Sequence, residues 1–387
     1  MTVMTSGQLP NAAAPGTAPG GDPLTAPTFG VEEEFLLLDP IHGRPVPAAP
    51  AVLRMLRNET GPRAELMNYQ VETATAVCTG TDELGAELRR LRALAAEAAR
   101  ARGCRLVATA VAPYGAPALS AITDAPRYHG LAARHPTLTA LSGVCACQVH
   151  VGVPSRDLGA QVLTRLRPWL ATLLAISANS PFTGGHDTGY ASHRYDLVSQ
   201  WPTARPPDEW RDAADYDRAV QRLLRRGAAM DERSIYFLAR LSPRYPTVEV
   251  RVADTCLDRG TTLLLAALVR ALVVTATADV RAGLPPPPAA PRWVIGSLLA
   301  AAHNGLAGPG IDPFTGDAVP AWDLVSVLVG HVGAALAALG DTATVATQLA
   351  RLREHGTGAE RQRRLWKRAA TPFDIVAGLA AITDATD

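Results

Sequence analysis

Apolar and polar residues alternate in five short stretches of the chain and recur at helical spacing over most of the remainder. Residues 28–38 (TFGVEEEFLLL) enter through a glycine and then alternate, so Glu32 and Glu34 share one face of a predicted strand while Val31, Glu33 and Phe35 share the other. Asp39-Pro40 and the glycine and prolines beyond it close that strand. Residues 64–76 (AELMNYQVETATA) form a second predicted strand and 104–110 a buried third. Residues 145–153 (CACQVHVGV) form a fourth with Gln148 and His150 on one face. Residues 247–253 (TVEVRVA) form a fifth, with Glu249 and Arg251 opposite Val248, Val250 and Val252. Helical spacing marks about 84–102, 158–179, 215–227, 261–281, 292–303 and 320–339. Antiparallel-capable strands interspersed with long helices imply an α+β fold, in which one sheet face is free to carry chemistry.

Composition narrows the function classes. Lysine plus arginine (37) nearly cancels aspartate plus glutamate (36), so no overall field draws the chain to nucleic acid or anionic lipid. The run LLLAALVRALVVTAT (263–277) is interrupted by Arg270 and falls short of the ~20 clean residues that span a bilayer, so it reads as a buried core helix. Five cysteines, an odd number, point to reduced thiols and a cytoplasmic location. Cys145-Ala-Cys147 lacks the C-x-x-C spacing and a second pair that a zinc site needs. Cys256 has no histidine partner in sequence and reads as core. Residues 1–27, rich in Ala, Pro, Gly and Thr, read as a disordered tail, and 28–387 as one domain.

Glu32 and Glu34, then Glu72, then Glu249 beside Arg251, together with His150, occupy the polar faces of strands whose other faces are apolar. A solvent-exposed sheet face shows the same alternation, and for one strand alone that reading is favoured. Repetition on three strands reverses the balance, because buried carboxylates need neutralising and Mg²⁺ takes oxygen ligands, with phosphate oxygens completing its octahedron. A nucleotide follows. No Walker-type glycine loop and no dinucleotide fingerprint is present, which leaves metal and arginine to hold phosphates. Residues 184–207 gather His186, Asp187, Arg194, Trp201 and Arg205 without apolar periodicity and read as a long functional loop, with Arg194 a clamp for phosphate or carboxylate.

GVEEEF (30–35), QVETAT (70–75), VHVGVP (149–154), DTGYASHR (187–194), WPTARPP (201–207), EVRVADTCLD (249–258), DPFTGDAVP (312–320) and GTGAERQR (356–363) resemble, in order, the motif set of the YbdK-type carboxylate–amine ligases, the glutamate–cysteine ligase type 2 family. The resemblance runs from about residue 28 to the C-terminus. It implies an open, curved antiparallel sheet backed by helices, similar to the glutamine synthetase and γ-glutamylcysteine synthetase catalytic core, with ATP and Mg²⁺ on the exposed face. It implies a weak glutamate–cysteine ligase working through an acyl phosphate. Glu32, Glu34, Glu72 and Glu249 would be metal ligands, His150 would face metal or nucleotide, and Arg194 and Arg251 would contact phosphate or substrate carboxylate. Gln148 departs from the pattern, which carries a second histidine there. Rival expectations are the same chemistry on another amino acid or a specialised-metabolite amine, a non-catalytic nucleotide- or amino-acid-binding relative, and a phosphotransferase that consumes no amine.

Overall fold

The computed structural model describes residues 26–115 and 118–385. The expected disordered tail therefore lies outside the described residues except for Ala26 and Pro27, and the Pro27 carbonyl accepts from Arg270 Nε at 3.0 Å. Strands are β1 (Phe29–Leu38), β2 (Arg63–Ala64), β3 (Gln70–Ala74), β4 (Arg105–Val107), β5 (Cys147–Gly152), the small hairpin β6 (Phe182–Thr183) and β7 (His186–Asp187), then β8 (Ala239–Leu241), β9 (Thr247–Val250) and the pair β10 (Pro309–Ile311) and β11 (Ala318–Pro320). Helices are α1 (Ala49–Met55), α2 (Thr81–Arg100), α3 (Pro126–Arg134), α4 (Pro136–Leu141), α5 (Arg156–Leu166), α6 (Leu170–Ser177), α7 (His193–Ser199), α8 (Ala213–Arg225), α9 (Arg259–Arg281), α10 (Pro291–Asn304), α11 (Ala321–Leu339), α12 (Thr342–His355), α13 (Gly358–Arg368) and α14 (Pro372–Thr383).

One antiparallel sheet runs β2-β3-β1-β5-β9-β8, and β4 pairs with the C-terminal end of β1 on the same edge as β5. This is the helix-backed antiparallel sheet that the motifs imply. Its back face, Val31, Phe35, Val71, Val149, Val151, Val248 and Val250, packs on α2, α5 and α9. The front face changes character along β1. Leu36 and Leu38 lie under a second apolar cluster with Met67, Tyr69, Trp201 and α14, whereas Glu32 and Glu34 face the cavity.

Glu33 sits between those two carboxylates in sequence and therefore points to the back. There it is almost fully buried and meets Arg92 of α2 in a two-pronged ion pair, Nε to Oε2 at 3.0 Å and Nη2 to Oε1 at 2.6 Å. The same guanidinium donates to the carbonyls of Cys256, Leu257 and Thr383, and the Thr262 hydroxyl of α9 donates to Glu33 at 2.7 Å. One buried pair thus ties the central strand to α2, α9 and α14.

Several boundaries differ from the sequence reading for local reasons. The helix expected over 158–179 breaks into α5, a 3₁₀ turn at Arg167–Trp169 and α6, because Pro168 has no N–H to continue the ladder. The strand expected over 64–76 is two strands; the Gln70 amide oxygen turns back to accept from Met67 N and holds the bend between them. The expected loop 184–207 contains β7 and α7. Among the described residues two helices, Arg259–Arg281 and Ala321–Leu339, are long and apolar enough to cross a membrane. The first runs behind the sheet against β5, α2, α5, α6, α11 and α12, the core position expected for it.

Arg92→Met is expected to lower the unfolding free energy by about 3–5 kcal/mol in urea titrations, since it strands a buried carboxylate. Adding Glu33→Met should recover part of that loss.

Candidate active site

The register of the sheet assembles the site. Glu34 lies directly opposite Glu72, Glu32 opposite Gln148, His150 opposite Glu249, and Glu249 opposite Arg240. Directly opposed residues share a face. Glu32, Glu34, Glu72, Glu249, His150 and Arg251 consequently line one cavity of about 450 Å³, within the size range of small-molecule sites. A smaller chamber of about 280 Å³, walled by Phe29, Val31, Ala74, Val77 and Pro246, adjoins it and shares Glu32, Arg63, His150 and Tyr245.

Arginines stand among the carboxylates. Arg63 Nη2 is 3.1 Å from Glu32 Oε1 and its Nε 3.7 Å from Glu72 Oε2. Arg240 grips Glu249 with both prongs at 3.0 Å and donates to the Ile235 carbonyl at 2.8 Å. Arg251 bridges Glu249 and the Gln148 amide oxygen, while Gln148 Nε2 donates to Glu34 at 2.9 Å. The amide at position 148 therefore accepts from arginine and donates to carboxylate at once. His150 Nδ1 contacts the Thr247 hydroxyl at 3.1 Å; its buried Nε2 has no hydrogen-bond partner and lies 3.8 Å from Glu32.

Crowding and burial separate the carboxyls. Burial, with the Glu65 charge beside it, pushes Glu34 up to about 7 against the pull of the Ala146 N–H. Burial and then the charges of Glu65 and Glu32 push Glu72 well above the usual range. Burial opposes ionisation of Glu249 too, but Arg251 and Arg240 outweigh it and hold that carboxyl near 2. His150 and Arg63 similarly overcome burial at Glu32 and keep it well below the usual range.

Among the described residues no group of three or more His, Cys, Asp or Glu side chains is arranged, as it stands, to hold a metal ion. The donors nevertheless suit a hard divalent cation: they are carboxylate oxygens, two of the carboxyls resist ionisation through burial and the acids beside them, and one buried imidazole nitrogen is unpartnered.

Arg194 is the sequence-selected residue that the structure places elsewhere. It does not line the cavity: its guanidinium is buried and donates to the carbonyls of Val252 at 3.2 Å and Arg251 at 3.3 Å. That corrects the reading of it as a direct clamp. The reason lies in Asp254, fully buried, which accepts from Ser180, Ser192 and the Asn179 N–H and holds the start of α7 beneath the chain following β9. Elsewhere in the expected functional loop Trp201 is buried against Tyr236, while Asp187 pairs with Arg363, Arg205 pairs with Asp208 and His186 Nδ1 contacts the Gly184 carbonyl at 2.9 Å, all three at the surface and away from the cavity. Conversely, Arg63, Glu65, Arg127, Arg233, Arg240 and Arg244 line the cavity and were not selected. The alternation LARL before the turn SPRYP and the strand TVEV is a hairpin signal that would have paired Arg240 with Glu249.

An arginine-lined acidic cavity on the open face of a helix-backed antiparallel sheet is accompanied by likeness to known folds of one kind. A glutamate–cysteine ligase from Francisella tularensis, solved in complex with AMP, superposes with a TM-score of 0.67 at 14% identity over 94% of this chain and 90% of that one. A bifunctional glutathione synthetase from Pasteurella multocida gives 0.66 at 13% identity over 93% of this chain and 52% of that one. The fold is that of these ligases. In sequence, the description of glutamate–cysteine ligase family 2 matches residues 28–376, and the chain belongs to that family. A Salinispora tropica protein provisionally named glutamate–cysteine ligase 2 is 44% identical over 377 residues, 95% of this chain and 98% of its own. A Mycolicibacterium vanbaalenii protein provisionally named glutamate–cysteine ligase 2-2 is 43% identical over 358 residues, 92% and 98% respectively.

Without divalent cation, stability is expected to fall as pH rises from about 5 to 8. The unfolded chain releases the Glu34 proton near 4.5, whereas the folded state keeps it to about 7, so the folded state binds more protons in between. The shift corresponds to roughly 3 kcal/mol. Thermal melts across this window should show the decline, and Glu34→Gln should make it shallower, with the raised Glu72 supplying what remains.

Proposed function

We propose that this chain is an ATP- and Mg²⁺-dependent carboxylate–amine ligase, with glutamate and cysteine as the substrate pair its family membership suggests. The observation that carries the reading is the meeting of carboxylates from three strands with six arginines in one cavity, anions to hold a metal and cations to hold phosphates. Glu32, Glu34 and Glu72 would hold Mg²⁺, with Glu249 facing the same cavity but already engaged by two arginines. His150, with its unpartnered Nε2 on the wall shared by both chambers, would face metal or nucleotide. When bound, Mg²⁺ would neutralise and orient the phosphate oxygens.

In the reaction, a carboxylate oxygen of the substrate attacks the γ-phosphorus and ADP leaves, giving an acyl phosphate. The amine then attacks the carbonyl carbon, loses a proton and expels phosphate, which carries away one oxygen of the original carboxylate. Arg251 and Arg127 would steady the negative charge passing between these oxygens, and Arg194 would fix the Arg251 backbone from behind. Positioning and charge supply the catalysis, so no covalent nucleophile is required. The five cysteines are free and buried, which suits packing roles and a cytoplasmic setting rather than thiol catalysis.

The test is incubation of the purified protein with ATP, Mg²⁺, ¹⁸O-carboxylate glutamate and a panel of amines that includes cysteine. Phosphate release that needs both glutamate and an amine, a product mass equal to their condensate and one ¹⁸O in the released phosphate are expected. Release without amine, or phosphate free of label, would contradict the ligase reading. Glu34→Gln and Glu72→Gln should each lower kcat at least 100-fold with melting curves that still show a folded protein; unchanged turnover would remove those residues from the metal assignment.

A further inference from the structure

Three arginines touch glutamates of the cavity, and they are not held alike. Arg240 is buried, grips Glu249 with two prongs and also donates to the Ile235 carbonyl. Arg251 is shared between Glu249 and Gln148, and its backbone is fixed by Leu238 and Arg194. Arg63 differs on every count. Among the described residues its guanidinium meets only Glu32 and Glu72, and neither pairing is two-pronged. Its side chain is 34% exposed, and it stands on the two-residue edge strand β2, just after Gly61, whose φ of +112° marks a turn that side chains rarely adopt.

Glu32 and Glu72 lie on adjacent strands, β1 and β3, two residues out of register with each other, and Arg63 reaches both. Glu65 adds a third acid close by. A lone positive group between Glu32 and Glu72 stands where a divalent cation would have to enter. We propose that Arg63 is a displaceable stand-in for that cation: it neutralises Glu32 and Glu72 in the nucleotide-free protein, leaves when metal enters, and then pairs with the polyphosphate that accompanies the metal. The proposal rests on the ligase reading for the metal itself. Arg63 lines both the arginine-rich cavity and the apolar chamber beside it, so once released it remains next to the nucleotide's space, where phosphate oxygens are strong partners for a guanidinium. Metal and nucleotide then favour each other's binding because each offers a partner to what the other displaces.

The experiment measures Mn²⁺ affinity by electron paramagnetic resonance, with and without a non-hydrolysable ATP analogue, in the wild-type protein and in Arg63→Gln, Arg63→Lys and Glu32→Gln, with melting curves for each. Wild type should bind Mn²⁺ weakly alone and at least tenfold more tightly with the analogue. Arg63→Gln should tighten the nucleotide-free site about tenfold and lose most of the analogue's effect, while Arg63→Lys, which keeps the charge, should behave like wild type. Unchanged or weaker nucleotide-free binding in Arg63→Gln, while Glu32→Gln abolishes binding, would overturn the stand-in role and leave the metal assignment intact; so would equal tightening by Lys and Gln. Mn²⁺ binding that ignores Glu32→Gln, or that is absent even with the analogue, would overturn both.

Discussion

Three consecutive glutamates in an extended strand cannot point the same way, and the architecture follows from how Glu32, Glu33 and Glu34 divide. The middle one goes inward, where Arg92 and Thr262 satisfy it and join the central strand to three helices. The outer two go to the front, where the antiparallel register sets Glu34 against Glu72 and Glu32 against Gln148. A slip of one residue would exchange these roles, placing two carboxylates in the helical core and leaving Arg92 without its partner. The ion pair behind the sheet therefore fixes the register that builds the site in front of it.

The front face costs stability. Buried carboxyls that resist ionisation beside Glu65 would be replaced by apolar residues if packing alone mattered. Instead Arg63, Arg240 and Arg251 supply charge at graded strength, from the loosely held edge residue to the fully bonded Arg240. Behind them Arg194 donates to the backbone carbonyls of Arg251 and Val252, and Asp254 accepts from Ser180 and Ser192 beside it, which gives Arg251 a rigid base.

Much of this was legible in sequence because a strand's period of two is unambiguous: Glu32 with Glu34, Gln148 with His150, and Glu249 with Arg251 were correctly assigned to shared faces, and the motifs indicated the family and its fold. What was not legible depends on long-range partners or on elements too short to carry a pattern. Nothing in the chain marks Arg92 as the partner of Glu33, and a two-residue strand gives Arg63 no periodicity. Arg194 was chosen for its chemistry in a polar loop, but the buried Asp254 beneath it, 60 residues later, draws it into a structural role. The helix expected over 158–179 breaks at Pro168, whose missing N–H is itself legible in the sequence.

On the proposed function, this face gathers carboxylates to hold divalent metal beside a nucleotide. The most direct test is anomalous diffraction from crystals grown with Mn²⁺ and a non-hydrolysable ATP analogue. The account predicts at least one anomalous peak within about 2.5 Å of carboxylate oxygens drawn from Glu32, Glu34 and Glu72 and of the analogue's phosphates. A nucleotide bound with its phosphates away from these carboxylates, and no metal among them, would contradict it.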